Sequence, residues 1–162
     1  MIHLLIIILS IFPGITAVRG TEAASLFTKG DPLVQVQTNK KYITIRDGLH
    51  KDEKGNLYFK TKDWSQEDSP VDRYIYVVYS ERFRADGIKE MKAVIDPDTF
   101  KAIGSSYYKD KSNLYYFKEM SDGGTMAIVD GADLNSFKII KATTDSDAKD
   151  KYNSYYQGRK IK

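Results

Sequence analysis

Two octapeptides, Lys109-Asp110-Lys111-Ser112-Asn113-Leu114-Tyr115-Tyr116 and Lys149-Asp150-Lys151-Tyr152-Asn153-Ser154-Tyr155-Tyr156, agree at six of eight positions and lie 40 residues apart. Their conspicuous chemistry is the adjacent tyrosine pair. Neighbours on a strand point to opposite faces, so one ring of each pair turns inward and the other outward. An outward Tyr offers rigid contact area with a polar tip, suited to a partner protein or a sugar. Tyr107, Tyr108, Tyr115, Tyr116, Tyr155 and Tyr156 are therefore the candidate binding surface. The competing role for the same rings is cross-strand packing.

Other reactive groups are sparse or unpatterned. There is no Cys, and the two His are His3 and His50, so thiolate sites, a cysteine nucleophile and a histidine-based triad lack their parts. His50 stands beside a turn and is expected to be exposed. Carboxylates are plentiful, including Asp96, Asp98, Asp110, Asp130, Asp133, Asp145, Asp147 and Asp150. The stretch from Asp145 fails as a calcium loop, with Lys149 at a ligand position and Tyr156 where a terminal Glu belongs. A glycosidase-like acid pair has no fixed spacing, so a carboxylate-based hydrolase is the least favoured reading. No metal and no cofactor is expected. Lys+Arg of 25 against Asp+Glu of 22 is too balanced for a dedicated nucleic-acid binder, and the Lys-Asp-Lys turns carry their own compensating acid.

The elements that position these residues are mostly β. Val34–Gln37 and Tyr42–Arg46 alternate apolar and polar and predict a hairpin, and Leu57-Tyr58-Phe59 follows a turn at Gly55. Tyr74–Tyr79 (YIYVVY) is apolar on both faces, as in a buried strand. Ile88–Ile95 is open to a helix, through Lys89, Glu90 and Lys92, or to an edge strand after Asp86-Gly87, and is read as a strand. Lys62–Asp72, with Pro70, is the most loop-like internal stretch. Asp122-Gly123-Gly124 and Asp130-Gly131 are tight turns. Short helices are expected at Asp96–Gly104, with Asp as N-cap and Pro97 at the first position, and at Asp133–Ile140.

Asp96, Phe100, Lys101 and Ile103 recur as Asp133, Phe137, Lys138 and Ile140, which makes the repeat longer than its octapeptide. Residues 51–59 (KDEKGNLYF) form a degenerate copy, and Asp72-Arg73 before YIYVVY a fainter one. This D-x-x-x-F plus KDKxNxYY pattern resembles the bacterial DKNYY repeat family over about residues 72–162. The resemblance implies an exported or envelope protein; it supplies no activity and no catalytic residues. The fold expected is α+β, mainly β: an open antiparallel sheet of repeated β-hairpin units with short covering helices. Residues 30–162 form one β-rich domain.

Leu4–Phe12 is apolar apart from Ser10, too short for the ~20 residues that span a bilayer. Followed by Pro13-Gly14 and small residues, it predicts a signal peptide at 1–20, cleaved after Gly20 or Ala23. Contact with a membrane is expected only through an uncleaved signal segment. The expectation is a non-enzymatic protein of the bacterial envelope, periplasmic or secreted, acting through protein–protein or surface contacts. One concrete version is an immunity-type partner of a toxin. The alternative is a carbohydrate- or peptidoglycan-binding module using exposed Tyr rows.

Overall fold

The computed structural model describes residues 40–65, 69–83, 87–143 and 146–161. The signal segment and the strand expected at Val34–Gln37 lie outside the described residues. The chain is mainly β, arranged as three open sheets. The first holds β1 (Ile43–Arg46), β2 (Leu49–Lys51), β3 (Leu57–Asp63) and β4 (Val71–Ile75) in sequence order. The second runs β6 (Ile88–Glu90), β5 (Val77–Tyr79), β10 (Thr125–Ile128), β9 (Leu114–Lys118), β8 (Tyr107–Lys109) and β7 (Lys101–Gly104). The third holds β11 (Lys138–Ile139), β12 (Ala148–Lys149), β13 (Ser154–Tyr156) and β14 (Arg159–Ile161). All pairings are antiparallel except β5 with β10, which are parallel through Tyr79 and Ala127.

At β9 the middle sheet is packed on both faces, which explains the apolar character of that strand. On β9, Tyr115 and Phe117 join Leu49, Phe59, Ile75, Val78, Phe100 and Met126 in a core against the first sheet. Leu114 and Tyr116 face the other way, into a second core with Tyr107 and Val129 and, from the third sheet, Ala148 and Tyr155. Period-2 alternation thus divides one strand between two cores.

Several expectations are corrected. Asp96–Gly104 and Asp133–Ile140 are not helices: each makes one turn, closed by the Phe100 N–H to the Asp96 carbonyl and the Phe137 N–H to the Asp133 carbonyl, both 3.0 Å. The residues that would extend them are taken by strand pairing in β7 and β11, and a helix of one turn has only its unfavourable nucleus. Cover comes from neighbouring sheets. Among the described residues the one helix is a 3-10 turn at Met91–Ala93, which ends the strand expected through Ile95. YIYVVY is split at Tyr76, whose carbonyl accepts the Met91 N–H at 2.7 Å, with β4 in the first sheet and β5 in the second. The loop-like stretch at 62–72 is narrower than expected, since Lys62 pairs with Asp72 and Asp63 with Val71. His50 is buried, with Nδ1 3.3 Å from Thr44 Oγ1 and its ring edge-on to Tyr74 at 5.5 Å. Burial, then the nearby Lys60, lowers its pKa.

Candidate functional site

The Lys-Asp-Lys-x-Asn turn is built around its carboxylate. Asp110 Oδ1 accepts the backbone N–H of Ser112 and of Asn113, each at 2.7 Å. Its Oδ2 accepts the Tyr115 hydroxyl at 2.7 Å and the Asp96 N–H at 2.9 Å. Asp150 repeats the pattern: Oδ1 takes the Tyr152 and Asn153 N–H groups at 2.7 Å, and Oδ2 takes the Tyr155 hydroxyl at 2.7 Å and the Asp133 N–H at 2.9 Å. Asp52 does the same with one extra residue in its turn. It accepts the Lys54 and Asn56 N–H groups at 2.9 and 2.8 Å and the Tyr58 hydroxyl at 3.1 Å. Where the other two receive a backbone N–H, Asp52 receives the Lys40 ammonium at 2.7 Å.

These carboxylates are buried yet satisfied. Burial pushes the Asp150 and Asp52 carboxyls up, but the converging donors outweigh it and hold both well below the usual carboxylate range. The tyrosines respond in the opposite sense. Burial, then the Asp150 carboxylate, pushes the Tyr155 phenol up to about 12, and burial followed by the Asp110 carboxylate holds Tyr115 far above the ordinary phenol range. Saturated carboxylates facing protonated phenols have no lone pair or proton to offer a substrate.

This geometry accounts for most of the candidate tyrosines. Tyr107, Tyr115 and Tyr155 are fully buried. Tyr107 donates to Asp147 at 2.7 Å and accepts the Gly158 N–H at 2.9 Å. Tyr108 is half-buried, stacked on Phe100 at 5.5 Å and edge-on to Phe59 at 5.1 Å. Tyr116 is half-buried against Tyr107 at 4.9 Å. Of the six, Tyr156 alone is exposed, at 40%. The rings form no continuous outward row, because the outward face of the middle sheet is itself covered.

That cover stops short, and its edge makes a cleft. Register places Tyr107, Tyr116, Ala127 and Tyr79 side by side across β8, β9, β10 and β5, on one face. The turn between β13 and β14 seats on this row at Tyr116. Gly158 has φ +76°, and an added Cβ would lie 2.5 Å from Tyr116 Cβ, so only glycine permits the approach. Beyond β14, Tyr79 and Ala127 form the floor of a cleft of about 780 Å³ among the described residues. One wall is Gly158, Arg159 and Lys160; the other is Ser80, Glu81 and Asp130. Ser80 donates to Asp130 at 2.8 Å, and the Glu81 N–H at 3.1 Å and Arg82 Nε at 3.5 Å also hold that carboxylate. So bound, Asp130 anchors the turn, and among the described residues no imidazole or amine side chain is hydrogen-bonded to Ser80. Arg159 and Lys160 make no ion pair with a described residue.

Sequence reasoning missed this cleft. Tyr79 closes the YIYVVY run, which reads as a buried strand, but its register beside Ala127 depends on a parallel pairing between segments nearly fifty residues apart. It also missed the exposed apolar group of Trp64 (56%), Val71 and Met120; the indole donates to Glu119 at 3.3 Å. No group of three or more His, Cys, Asp or Glu able to hold a metal occurs among the described residues. Comparison with protein-family models, curated proteins and solved structures yields no match.

Proposed function

We propose that this chain is a non-enzymatic binding protein of the bacterial envelope that holds a partner protein in the cleft beside β14. The observation that carries the reading is that cleft: an apolar and aromatic floor, Tyr79 and Ala127, next to two cations that pair with no described acid, on a sheet edge open among the described residues. Protein interfaces favour aromatic and Arg contacts in this kind of setting. The internal employment of Tyr107, Tyr115 and Tyr155 weighs against a glycan platform, and the saturation of Asp110 and Asp150 weighs against an acid pair. In the same reading, the three Asp-centred units are copies of one hairpin design, the structural side of the DKNYY resemblance. The apolar segment at 4–12 would direct export, and an incoming toxin is the concrete partner for an immunity-type role.

The test compares the tagged chain with Ala127→Trp, which fills the cleft floor from a half-buried position, in capture from an envelope extract and in rescue from a co-encoded toxin. A partner retained by the parent and lost from Ala127→Trp supports the proposal. Equal retention by both retires the cleft. Retention on purified cell wall that is lost in Tyr156→Ala would instead support the carbohydrate reading.

A further inference from the structure

The backbone of β14 specifies how a partner would enter. Tyr156 and Arg159 flank the two-residue turn Gln157-Gly158, and the ladder continues with Tyr155 opposite Lys160 and Ser154 opposite Ile161. In a two-residue antiparallel hairpin the pair that closes the turn is hydrogen-bonded and the next pair is not. Lys160 therefore directs its own N–H and C=O away from β13, toward the sheet edge, and among the described residues β14 has no second partner strand.

Such an edge accepts an added strand. Charge decides which kind. A second copy pairing symmetrically about Lys160 would set Lys160 against itself, and like charges directly opposite are unfavourable. Asp130 across the cleft is already matched by Arg82. Among the described residues the unpaired charges lining the cleft are then Arg159 and Lys160 on one side and Glu81 on the other, an excess of cations beside the edge. We infer that the cleft receives an extended, acidic segment of a partner protein, which adds to β14 as a further antiparallel strand with a carboxylate beside Lys160.

This inference rests on the proposed binding role of the cleft. It is tested by calorimetry with a short synthetic peptide of alternating valine and glutamate, and its valine–lysine counterpart, against the parent chain, Lys160→Ala and Lys160→Pro. Proline on an edge strand removes only the outward N–H. The glutamate peptide should bind the parent more tightly than the lysine peptide. Lys160→Pro should weaken it about fivefold beyond Lys160→Ala, the equivalent of one net backbone hydrogen bond. Equal binding by the two variants, or equal binding of the two peptides, overturns the inference. Should Lys160→Pro fail to fold, amide exchange in the parent decides: the Lys160 N–H slows on adding the glutamate peptide, and unchanged exchange refutes strand addition. A partner lost from Ala127→Trp but kept by Lys160→Pro would retire strand addition and leave the cleft reading standing.

Discussion

Replacing Asp110 tests whether the repeated motif is an organising centre of the fold. Asp110 is 5% exposed and accepts four hydrogen bonds, from the Ser112, Asn113 and Asp96 N–H groups and the Tyr115 hydroxyl. In Asp110→Ala these donors lose this acceptor, and the Tyr115 hydroxyl keeps only the longer bond to the Val94 carbonyl at 3.3 Å. Ser112 is exposed and recovers water, but Tyr115 is fully buried and Asn113 nearly so. An orphaned buried donor costs about 1–3 kcal/mol, so the orphaned Asn113 N–H, the weakened Tyr115 hydroxyl and the lost Asp96 contact together amount to about 2–5 kcal/mol. That is much of the 5–15 kcal/mol typical of a whole domain. Tyr115→Phe keeps the ring and removes one donor to a carboxylate, for about 1.5–3 kcal/mol. Asp110→Asn, which retains one acceptor oxygen, should fall between. Urea unfolding followed by far-UV circular dichroism measures the order, with the slope unchanged. Because the two groups share one bond, Asp110→Asn with Tyr115→Phe should cost less than the sum of the single changes. An Asp110→Ala midpoint shift within about 0.5 kcal/mol, the range of an ordinary surface substitution, would refute the reasoning.

Three further outcomes follow from the same geometry. Asp52 and Asp150 have folded pKa values below their unfolded ones, so their stabilisation is complete above about pH 4 and disappears as pH falls through the folded values; acid unfolding should begin below pH ~4 and be milder in Asp150→Asn. Gly158→Ala should cost about 2–4 kcal/mol, from strain at positive φ and overlap with Tyr116; hydrogen exchange should accelerate in β13 and β14 before it does in β2 and β3. Tyr155→Ala, at a fully buried ring, should cost about 3–5 kcal/mol, whereas Tyr152→Ala, 73% exposed in the adjacent turn, should stay within about 0.5 kcal/mol in thermal unfolding.

The Tyr pairs show where local pattern suffices and where it stops. Alternation alone assigns Tyr115 and Tyr116 to opposite faces, and they do face different cores. It cannot say that the second face is also covered, because that depends on a third sheet whose strands are only two or three residues long. Asp96-Pro97 and Asp133 carry genuine helix-start residues and do begin a turn. The turn ends because Lys101 and Lys138 find β partners, a tertiary outcome that overrides propensity. His50 looked like a turn neighbour and became buried once Thr44 and Tyr74 were brought around it.

By itself, then, the sequence determined the β-rich class, the Asp-centred turns and the assignment of adjacent rings to opposite faces of a strand, since each depends on residues within a few positions of one another. Only the tertiary structure decided which rings reach solvent, that the repeated carboxylates are spent on turn amides and phenols, and that a cleft opens beyond β14. Those properties come from registers such as Tyr79 with Ala127 and from the close seating of Gly158 on Tyr116. They are contacts between distant segments, and no local spacing encodes them.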